Sequence, residues 1–148
     1  MKVSTKGRYG LRALVDLAVN STGTHVSLVS IAQRQKISLN YLEQVFATLR
    51  KAKIVKSVKG AQGGYSLAKP ASQIKVADVL NILEGEFCIV DEDVFDEDQI
   101  DAVRLAVKTL VWDQINKKVN EYLMNTTLDD LAKEYERLNG ELPDLYYI

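Results

Sequence analysis

The chain has 148 residues, 47% of them hydrophobic, which suits one compact domain or a small domain with an appendage. No apolar run reaches the roughly 18 residues of a membrane-spanning helix, and the charged start, with Lys2 and Lys6, lacks the apolar segment of a signal peptide. The single cysteine, Cys88, cannot form an intrachain disulfide, which indicates a reducing cytoplasm.

The net charge of −1 conceals a strong asymmetry between the two halves of the chain. Residues 1–75 hold 13 Lys and Arg against 2 Asp and Glu, a charge of +11, whereas residues 76–148 hold 6 against 18, a charge of −12. A basic half favours an anionic partner, nucleic acid first and an anionic membrane surface second. Because the acidic half repels the same partner, we expect a polyanion to meet one face only.

The first half predicts three helices with the spacing of a helix-turn-helix. A long helix covers about residues 4–20, and a second, about residues 28–35, begins after the N-cap Ser27. A tight turn then leads to a third helix, about residues 39–52, with Ser38 as its N-cap. Two short helices joined by a tight turn after a longer helix are typical of DNA-binding domains.

A hairpin is predicted after the third helix. Two short β-like runs, residues 54–58 and 65–68, flank the glycine-rich sequence Lys59-Gly60-Ala61-Gln62-Gly63-Gly64. Strand, glycine-rich turn and strand predict a β-hairpin, or wing. Residues 1–75 are therefore predicted to form a winged helix-turn-helix in a mainly α protein.

The second half predicts a dimerisation and signalling region over residues 76–140. A short helix, residues 76–83, is followed by an acidic loop at 87–99 and a long helix at about 98–124. The apolar positions of the long helix cover roughly 220° of its circumference. Since one domain face needs only about half of that, we expect this helix to contact its own domain and a second subunit.

A last helix and a tail complete the predicted elements. The helix covers about residues 128–138, and Asn139-Gly140 is predicted to end it. Residues 141–148 then form a C-terminal tail whose end is apolar. An apolar tail either packs on the body or binds a partner.

The third helix carries the residues expected to read DNA. Side chains of the types found at its N-terminus suit base edges, because Asn and Gln bond adenine and Glu accepts from cytosine N4. Basic residues after it suit phosphates, and the wing suits a minor groove. The predicted DNA contacts are Ser38, Asn40, Tyr41, Glu43, Gln44, Arg50, Lys56, Lys59, Gly60 and Gln62.

Nothing in the sequence indicates an enzyme. With one histidine, His25, and one cysteine, the chain offers no nucleophile–histidine pair. The acidic loop lacks the spacing and glycine of a calcium site, so no metal is expected there. A protein-interaction or membrane-surface module stays open as an alternative to a regulator.

Four sequence motifs together resemble one family of regulators. They are Gly7-Arg8-Tyr9-Gly10-Leu11-Arg12-Ala13-Leu14, Tyr41-Leu42-Glu43-Gln44, Gly60-Ala61-Gln62-Gly63-Gly64-Tyr65-Ser66-Leu67 and Leu83-Glu84-Gly85. The chain resembles the Rrf-two family of winged-helix regulators, of the IscR, CymR and NsrR type. The resemblance implies a homodimer built on the long helix that binds a partly palindromic operator. Lys59 stands where the family's wing usually has Arg, and Lys enters narrow minor grooves less readily.

The resemblance also bears on the sensor. Iron–sulfur members of this family place three cysteines in the loop before the long helix, whereas this loop holds only Cys88. A cluster needs several thiolates or comparable ligands, so no cofactor is expected, although an iron–sulfur regulator stays an alternative. Cys88 is predicted either as a small buried hydrophobe or as a redox-sensing thiol, although its acidic neighbours oppose thiolate formation.

The end of the chain is similar to that of the cluster-free repressors of cysteine metabolism in the same family. Those proteins also end in Tyr-Ile, and their corepressor is cysteine synthase, whose active site accepts C-terminal isoleucine peptides. The resemblance implies that Tyr146, Tyr147 and Ile148 bind this enzyme. A redox- or small-ligand-responsive regulator without this partner is the alternative.

Overall fold

The computed structural model describes residues 3–60 and 63–146. A π-helical segment, Lys108–Trp112, joins two α-helices, 102–107 and 113–125, so residues 102–125 form one long helix. The predicted mainly α fold with a small β wing is confirmed. The elements are α1 (Thr5–Asn20), α2 (Leu28–Gln35), α3 (Leu39–Lys51), β1 (Val55–Val58), β2 (Gly64–Leu67), α4 (Val76–Glu84), β3 (Phe95–Asp96), β4 (Gln99–Ile100), α5 (Ala102–Val107), α6 (Asp113–Asn125) and α7 (Leu128–Tyr146).

Serine N-caps fix where the first three helices begin. The hydroxyl of Ser4 accepts from the Lys6 N–H, and Ser27 and Ser38 each accept from the N–H three residues on. Each cap satisfies a helix-end donor that has no partner inside the helix. Ile37 is buried in the turn between α2 and α3, so this turn packs into the core and sets the angle between the two helices.

Helix α1 approaches α4 unusually closely at two glycines. A Cβ on Gly10 would lie 2.4 Å from Leu83 Cδ1, and one on Gly7 would lie 2.7 Å from Glu84 Oε1. The Glu84 carboxylate accepts from the Gly7 N–H at 2.7 Å and from the Ser4 hydroxyl. The first turns of α1 and the Leu83-Glu84 pair therefore pack directly against each other.

A buried carboxylate fastens α1 to α2. Asp16 is 4% exposed and accepts from Arg34 Nε at 2.9 Å and from Arg34 Nη2 at 2.7 Å. Gln35 Nε2 donates to the same carboxylate at 3.0 Å. The hydrogen bonds from Arg34 to the Asp16 carboxylate raise the pKa of Arg34 above its usual value. Two planar donors on one carboxylate fix the orientation of α2 as well as its distance.

The base of the wing is hydrogen-bonded to the segment before α2 and packs against α3. Strands β1 and β2 pair antiparallel, with Val55 opposite Leu67. Val26, before α2, exchanges both backbone hydrogen bonds with Tyr65, at 2.8 and 2.7 Å. The Tyr65 ring also contacts Phe46 of α3 edge to face, at 5.1 Å between centroids. The wing therefore keeps a defined position beside α3.

Helices of the second half of the chain pack against those of the first half. Helix α4 packs against α1 and α3, α6 packs against α4, and α7 packs against α1. The backbone of the α6–α7 junction pairs with the segment that leads into α4. The Val76 N–H donates to the Thr126 carbonyl, and the Leu128 N–H donates to the Ile74 carbonyl. Leu128 is 1% exposed, so α7 begins inside the same hydrophobic core.

The loop before the long helix differs from the sequence expectation. It contains the β3–β4 hairpin, whose turn residues Glu97 and Asp98 have φ of 46° and 64°. The long helix begins at Ala102 and not near residue 98, because the turn occupies 97–98 and the Asp101 carboxylate caps the N–H groups of Val103 and Arg104.

The predicted end of the last helix is also wrong. Helix α7 continues through Asn139-Gly140 to Tyr146, so the backbone of the expected tail is helical as far as it is described. Arg137 pairs with Glu134 one turn before Gly140 and with Glu141 beyond it. These pairs raise the pKa of Arg137 and lower that of Glu134, and they connect the turns on both sides of the glycine.

Among the residues that the structure describes, no helix is both long enough and apolar enough to cross a membrane.

We expect Asp16→Ala to destabilise the fold by about 1–3 kcal/mol, because Arg34 and Gln35 lose their acceptor while Arg34 stays partly solvated. Urea unfolding at a fixed protein concentration measures the loss. The matched control is Asp129→Ala, which breaks the Asp129–Lys133 pair on the surface of α7 and should leave the unfolding midpoint unchanged. Equal effects of the two substitutions would contradict the prediction.

Candidate nucleic-acid interface

The N-terminal part of α3 presents polar side chains to solvent. Asn40, Glu43 and Gln44 are exposed, while Leu42, Val45 and Phe46 on the opposite side are buried. Ser38 is exposed, and its oxygen is used as the N-cap acceptor. Its hydroxyl proton remains available to a phosphate or a base. The arrangement matches the geometry in which a recognition helix enters a major groove by its N-terminal residues.

Tyr41 differs from its neighbours because it is half-buried. Its ring contacts Tyr9 edge to face at 6.1 Å, and its hydroxyl lies 3.3 Å from the Thr5 hydroxyl. It therefore packs α3 against α1 as well as standing beside the base-reading positions. A contact from Tyr41 to DNA stays a prediction.

The described part of the wing tip is open and requires glycine. Lys59 and Gly60 are exposed, and Gly60 has φ of 129°, a conformation that side chains disfavour. The Gly63 N–H donates to the Gly60 carbonyl at 3.0 Å and closes the turn. Gln62, a predicted contact, lies outside the described residues. The structure thus places Lys59 at the tip of the hairpin.

A groove separates the recognition helix from the wing. Its volume is about 450 Å³, and it brings Glu43 of α3 together with Ser57, Val58 and Gly64 of the hairpin. Ser27 and Leu28 close its other end. Helix α3 and the wing therefore form two sides of one concave surface, a shape that suits contact with the convex backbone of a DNA duplex.

Basic side chains line a second depression at the C-terminal end of α3. Arg50, Lys53, Lys56 and Lys69 line it, and its volume is about 510 Å³. Two predicted phosphate contacts, Arg50 and Lys56, are thus brought together. Lys69 was not among the predicted contacts, because it follows the second strand in sequence and only the β1–β2 register brings that segment back beside Lys56.

The charge of this surface is almost entirely positive. Residues 1–75 contain two carboxylates, Asp16 and Glu43. Asp16 is buried and paired with Arg34, so Glu43 is the one exposed negative side chain of this half. A carboxylate on a surface that meets phosphates is unfavourable unless it accepts a hydrogen bond from a base. The position of Glu43 therefore favours recognition of a particular base pair and does not contribute to the general attraction of DNA.

The loop after α4 places Cys88 in solvent. The prediction of a buried cysteine is wrong, because Cys88 is exposed. Gly85, with φ of 87°, turns the chain out of α4, and Asn116 holds the loop by accepting from the Ile89 N–H at 2.7 Å and contacting Cys88 Sγ at 3.5 Å. Redox sensing by Cys88 stays a prediction.

Tyr146, the first residue predicted to bind a partner, ends α7. Tyr147 and Ile148 lie outside the described residues.

The residues of this loop do not fit an iron–sulfur cluster. In the described part of the chain, no group of three or more His, Cys, Asp and Glu side chains is placed to hold a metal ion. The sequence contains a single cysteine, and a cluster of the usual kind takes four protein ligands, mostly thiolates.

Comparisons with known proteins agree with this geometry. The sequence model of the Rrf2 family, described as iron-dependent transcriptional regulators, matches residues 3–134. The transcriptional regulator CymR of Bacillus subtilis is 41% identical over 132 residues, covering 89% of this chain and 90% of CymR. The transcriptional regulator IscR of Cereibacter sphaeroides is 36% identical over 151 residues, covering 100% of this chain and 97% of IscR.

Two solved structures have the same fold. The structure of B. subtilis CymR, described as the global cysteine regulator, superposes with a TM-score of 0.77 at 40% identity and covers 90% of this chain and 98% of CymR. The structure of T. potens IscR gives 0.74 at 45% identity, covering 93% and 90%.

We expect Glu43→Ala and Arg50→Ala to weaken DNA binding in different ways. Glu43→Ala should cost about 1–3 kcal/mol of discrimination at one base pair and should leave binding to scrambled DNA unchanged or slightly stronger, because a negative charge facing phosphates is removed. Arg50→Ala should weaken binding to both DNAs and reduce the slope of log affinity against log salt by about 0.9. Gel-shift titrations over a salt series, on a selected operator and on scrambled DNA, measure both quantities.

Lys117→Ala, an exposed change on α6, is the control for loss of one positive charge far from the interface. An Arg50 effect no larger than that of Lys117, or a Glu43 effect equal on every sequence, would contradict the assignment.

Proposed function

The chain belongs to the Rrf2 family of transcriptional regulators, and we propose that it is a cytoplasmic homodimeric repressor of cysteine and sulfur metabolism genes. It binds operator DNA through α3 and the wing and acts without an iron–sulfur cluster. The family consists of DNA-binding regulators, not enzymes. The observation that carries the proposal is the concave surface in which Glu43 of α3 and the wing residues Ser57 and Val58 meet.

The long helix supports a homodimer. No residue of α5, of the π-helical segment or of α6 is buried within the described chain. Val103 and Leu110 are each 74% exposed, and Tyr122 is 70% exposed. An apolar helix of this length needs a cover, and an isologous partner supplies the same helix in return. Two protomers then present two recognition helices to a partly palindromic operator.

Cysteine content separates the two kinds of relative. The chain is about equally similar to CymR and to IscR, so identity alone does not choose between them. The loop before the long helix offers one thiol, and its Sγ already contacts Asn116. This favours a signal that arrives by protein contact or through another ligand. The description of B. subtilis CymR as a global cysteine regulator supports cysteine metabolism as the regulated process.

One anaerobic preparation tests the cluster-free repressor. Purified without oxygen, the protein should be colourless above about 320 nm, because it has no thiolate set to bind iron–sulfur. The same colourless protein should select an inverted repeat from random DNA with an affinity at least about 10³ above scrambled DNA. The enriched repeat should lie upstream of sulfur-assimilation genes. A brown protein that selects DNA only with its chromophore would overturn the proposal.

We further propose that Tyr146, Tyr147 and Ile148 contact the partner protein cysteine synthase. An aliphatic residue with a free carboxylate suits capture by backbone amides in an enzyme pocket. Helix α7 carries the backbone in helical form as far as Tyr146.

Deleting Tyr147 and Ile148 should abolish binding of purified cysteine synthase while leaving operator binding intact, because the predicted DNA contacts lie in residues 38–62. Surface plasmon resonance with the full chain and the truncated chain measures both. The control is Ile148→Leu, which keeps the aliphatic end and should retain most of the affinity. Unchanged enzyme binding by the truncated chain would refute this partner without affecting the DNA-binding proposal.

A further inference from the structure

We propose that the face of the wing turned away from α3 binds a phosphate of the operator through Lys56 and His25, and that protonation of His25 strengthens DNA binding at mildly acidic pH. This inference rests on the proposed function and adds a contact and a pH dependence to it. The contact lies in a depression of about 410 Å³ between the wing and the α1–α2 loop, which we call the outer depression. Its lining includes Ser21, Thr24, His25, Lys56, Val58 and Ser66.

The two faces of the wing carry different side chains. Neighbouring residues of a strand point to opposite faces, and Lys56 of β1 stands opposite Ser66 of β2. Tyr65 points towards α3, where its ring contacts Phe46. Lys56 and Ser66 therefore share the face that is turned away from α3, and this face forms one wall of the outer depression.

His25 lies against this face close to the tip of the hairpin. The next residue, Val26, exchanges both backbone hydrogen bonds with Tyr65, at 2.8 and 2.7 Å. A Cβ on Gly64 would lie 3.0 Å from His25 Cδ2 and 2.5 Å from the Val26 carbonyl oxygen. The imidazole thus lies on the strand where a glycine leaves room for it, and its position follows that of the wing.

The outer depression is cationic. Lys56 of β1 is exposed, and apart from His25 the other described residues that line the depression, from β1, β2 and the α1–α2 loop, are uncharged. The two carboxylates of residues 1–75 lie elsewhere, because Asp16 is buried and Glu43 lines the groove between α3 and the wing. No carboxylate of the basic half is therefore placed to compete with a phosphate for the imidazolium.

Polar donors and further cations surround the two basic groups. Ser21 and Thr24 of the loop and Ser66 of β2 bring hydroxyl groups to the outer depression. Lys56 also lines the basic depression at the C-terminal end of α3. The outer depression therefore continues the basic surface around the edge of the wing, and its chemistry suits a phosphate group.

The shape of DNA indicates which phosphate reaches this face. The minor groove of B-DNA is about 6 Å wide, so a hairpin inserted into it has one sugar–phosphate backbone on each side. The backbone between the major and the minor groove passes through the groove between α3 and the wing. The backbone of the other strand passes the opposite face, where Lys56 and His25 lie. The expected ligand is therefore a phosphodiester of that second strand, and free phosphate has the same chemistry.

Protonation of His25 connects this contact to pH. The charge of an imidazole changes between about pH 8 and pH 5, and an imidazolium forms a stronger, charge-assisted hydrogen bond to a phosphate oxygen. Since the phosphate binds the protonated form more tightly, complex formation takes up a proton, and operator affinity rises as the pH falls through this range. The chain contains one histidine, so a single substitution isolates the effect.

Operator binding at two pH values tests the inference. By fluorescence anisotropy at constant ionic strength, the unmodified chain should bind about tenfold more tightly at about pH 6 than at about pH 8, the effect of one hydrogen bond to a charged group. His25→Gln should lose most of this difference, and His25→Lys should bind tightly at both pH values. Circular dichroism melting shows that each variant is folded.

A matched control moves the imidazole. His25→Gln combined with Gln33→His places it at an exposed position of α2 outside the outer depression. This variant should remain as insensitive to pH as His25→Gln alone. Recovery of the pH dependence would overturn the inference, because any imidazole on the basic half would then suffice. Equal pH dependence in the unmodified chain and in His25→Gln would overturn it as well.

Neutral linkages in the operator identify the phosphate. Methylphosphonates introduced one at a time along both strands each remove the charge of one phosphate. One linkage, on the strand outside the wing, should abolish the pH dependence of the unmodified chain and should have a much smaller effect on His25→Gln. Inorganic phosphate in place of chloride should not change the pH dependence. A scan without such a position, or loss of the pH dependence in free phosphate alone, would overturn the DNA contact.

The same titrations separate failure of the inference from failure of the proposed function. If the unmodified chain and His25→Gln both prefer the operator to scrambled DNA and share one pH profile, the regulator stands and the His25 contact is wrong. If the unmodified chain has no preference for the operator at either pH, the proposed function fails and this contact fails with it.

Discussion

The close approach of α1 to α4 is the constraint on which the rest of the structure depends. Gly7 and Gly10 leave room for Glu84 and Leu83, and any side chain at Gly10 would displace a buried leucine. Because α1 also contacts α2, α3 and α7, its distance from α4 sets the position of every helix in the DNA-binding domain. The close packing of α1 on α4 requires both the glycines at the start of the chain and the Leu83-Glu84 pair, although more than 70 residues separate them.

This arrangement joins two regions of opposite charge without neutralising the DNA-binding surface. The basic half uses one of its two carboxylates, Asp16, inside the fold, where Arg34 and Gln35 satisfy it. The other, Glu43, stays on the recognition helix. In the proposed mode of DNA binding, phosphate attraction comes from many cations that carry no sequence information, while discrimination rests on a few polar side chains in the groove between α3 and the wing.

The sequence predicted the elements of the basic half well, because its signals are local. Serine caps, apolar periodicity and a glycine-rich turn each act within a few residues, and α1, α2 and α3 begin and end within a residue of the expected bounds. The role of Tyr41 in packing against Tyr9, and the place of Lys69 beside Arg50, were not predictable from sequence, because both depend on how distant segments pack together.

The errors in the second half have related causes. Asn139-Gly140 looks like a helix end, but ion pairs from Arg137 to Glu134 and Glu141 favour continued helix. Cys88 lies between apolar residues in sequence, yet Gly85 turns the chain outward and Asn116 fixes the loop. In the first case ion pairs within one helix overrule the preference of Asn139-Gly140, and in the second a contact between segments 27 residues apart fixes the loop.

The long helix gives the main support for the proposed homodimer. It exposes apolar side chains along its length, and its middle departs from α-helical geometry between Lys108 and Trp112, where deviations of this kind are frequent at functional sites. Within the described residues, the Trp112 Nε1–H is buried without an acceptor, which costs free energy. A helix in this state gains from repacking against a second copy. In the proposed homodimer, such repacking would connect the acidic loop, which leads into the long helix, with α4 and through it with the helix-turn-helix, because α6 packs against α4 and α4 packs against α1 and α3.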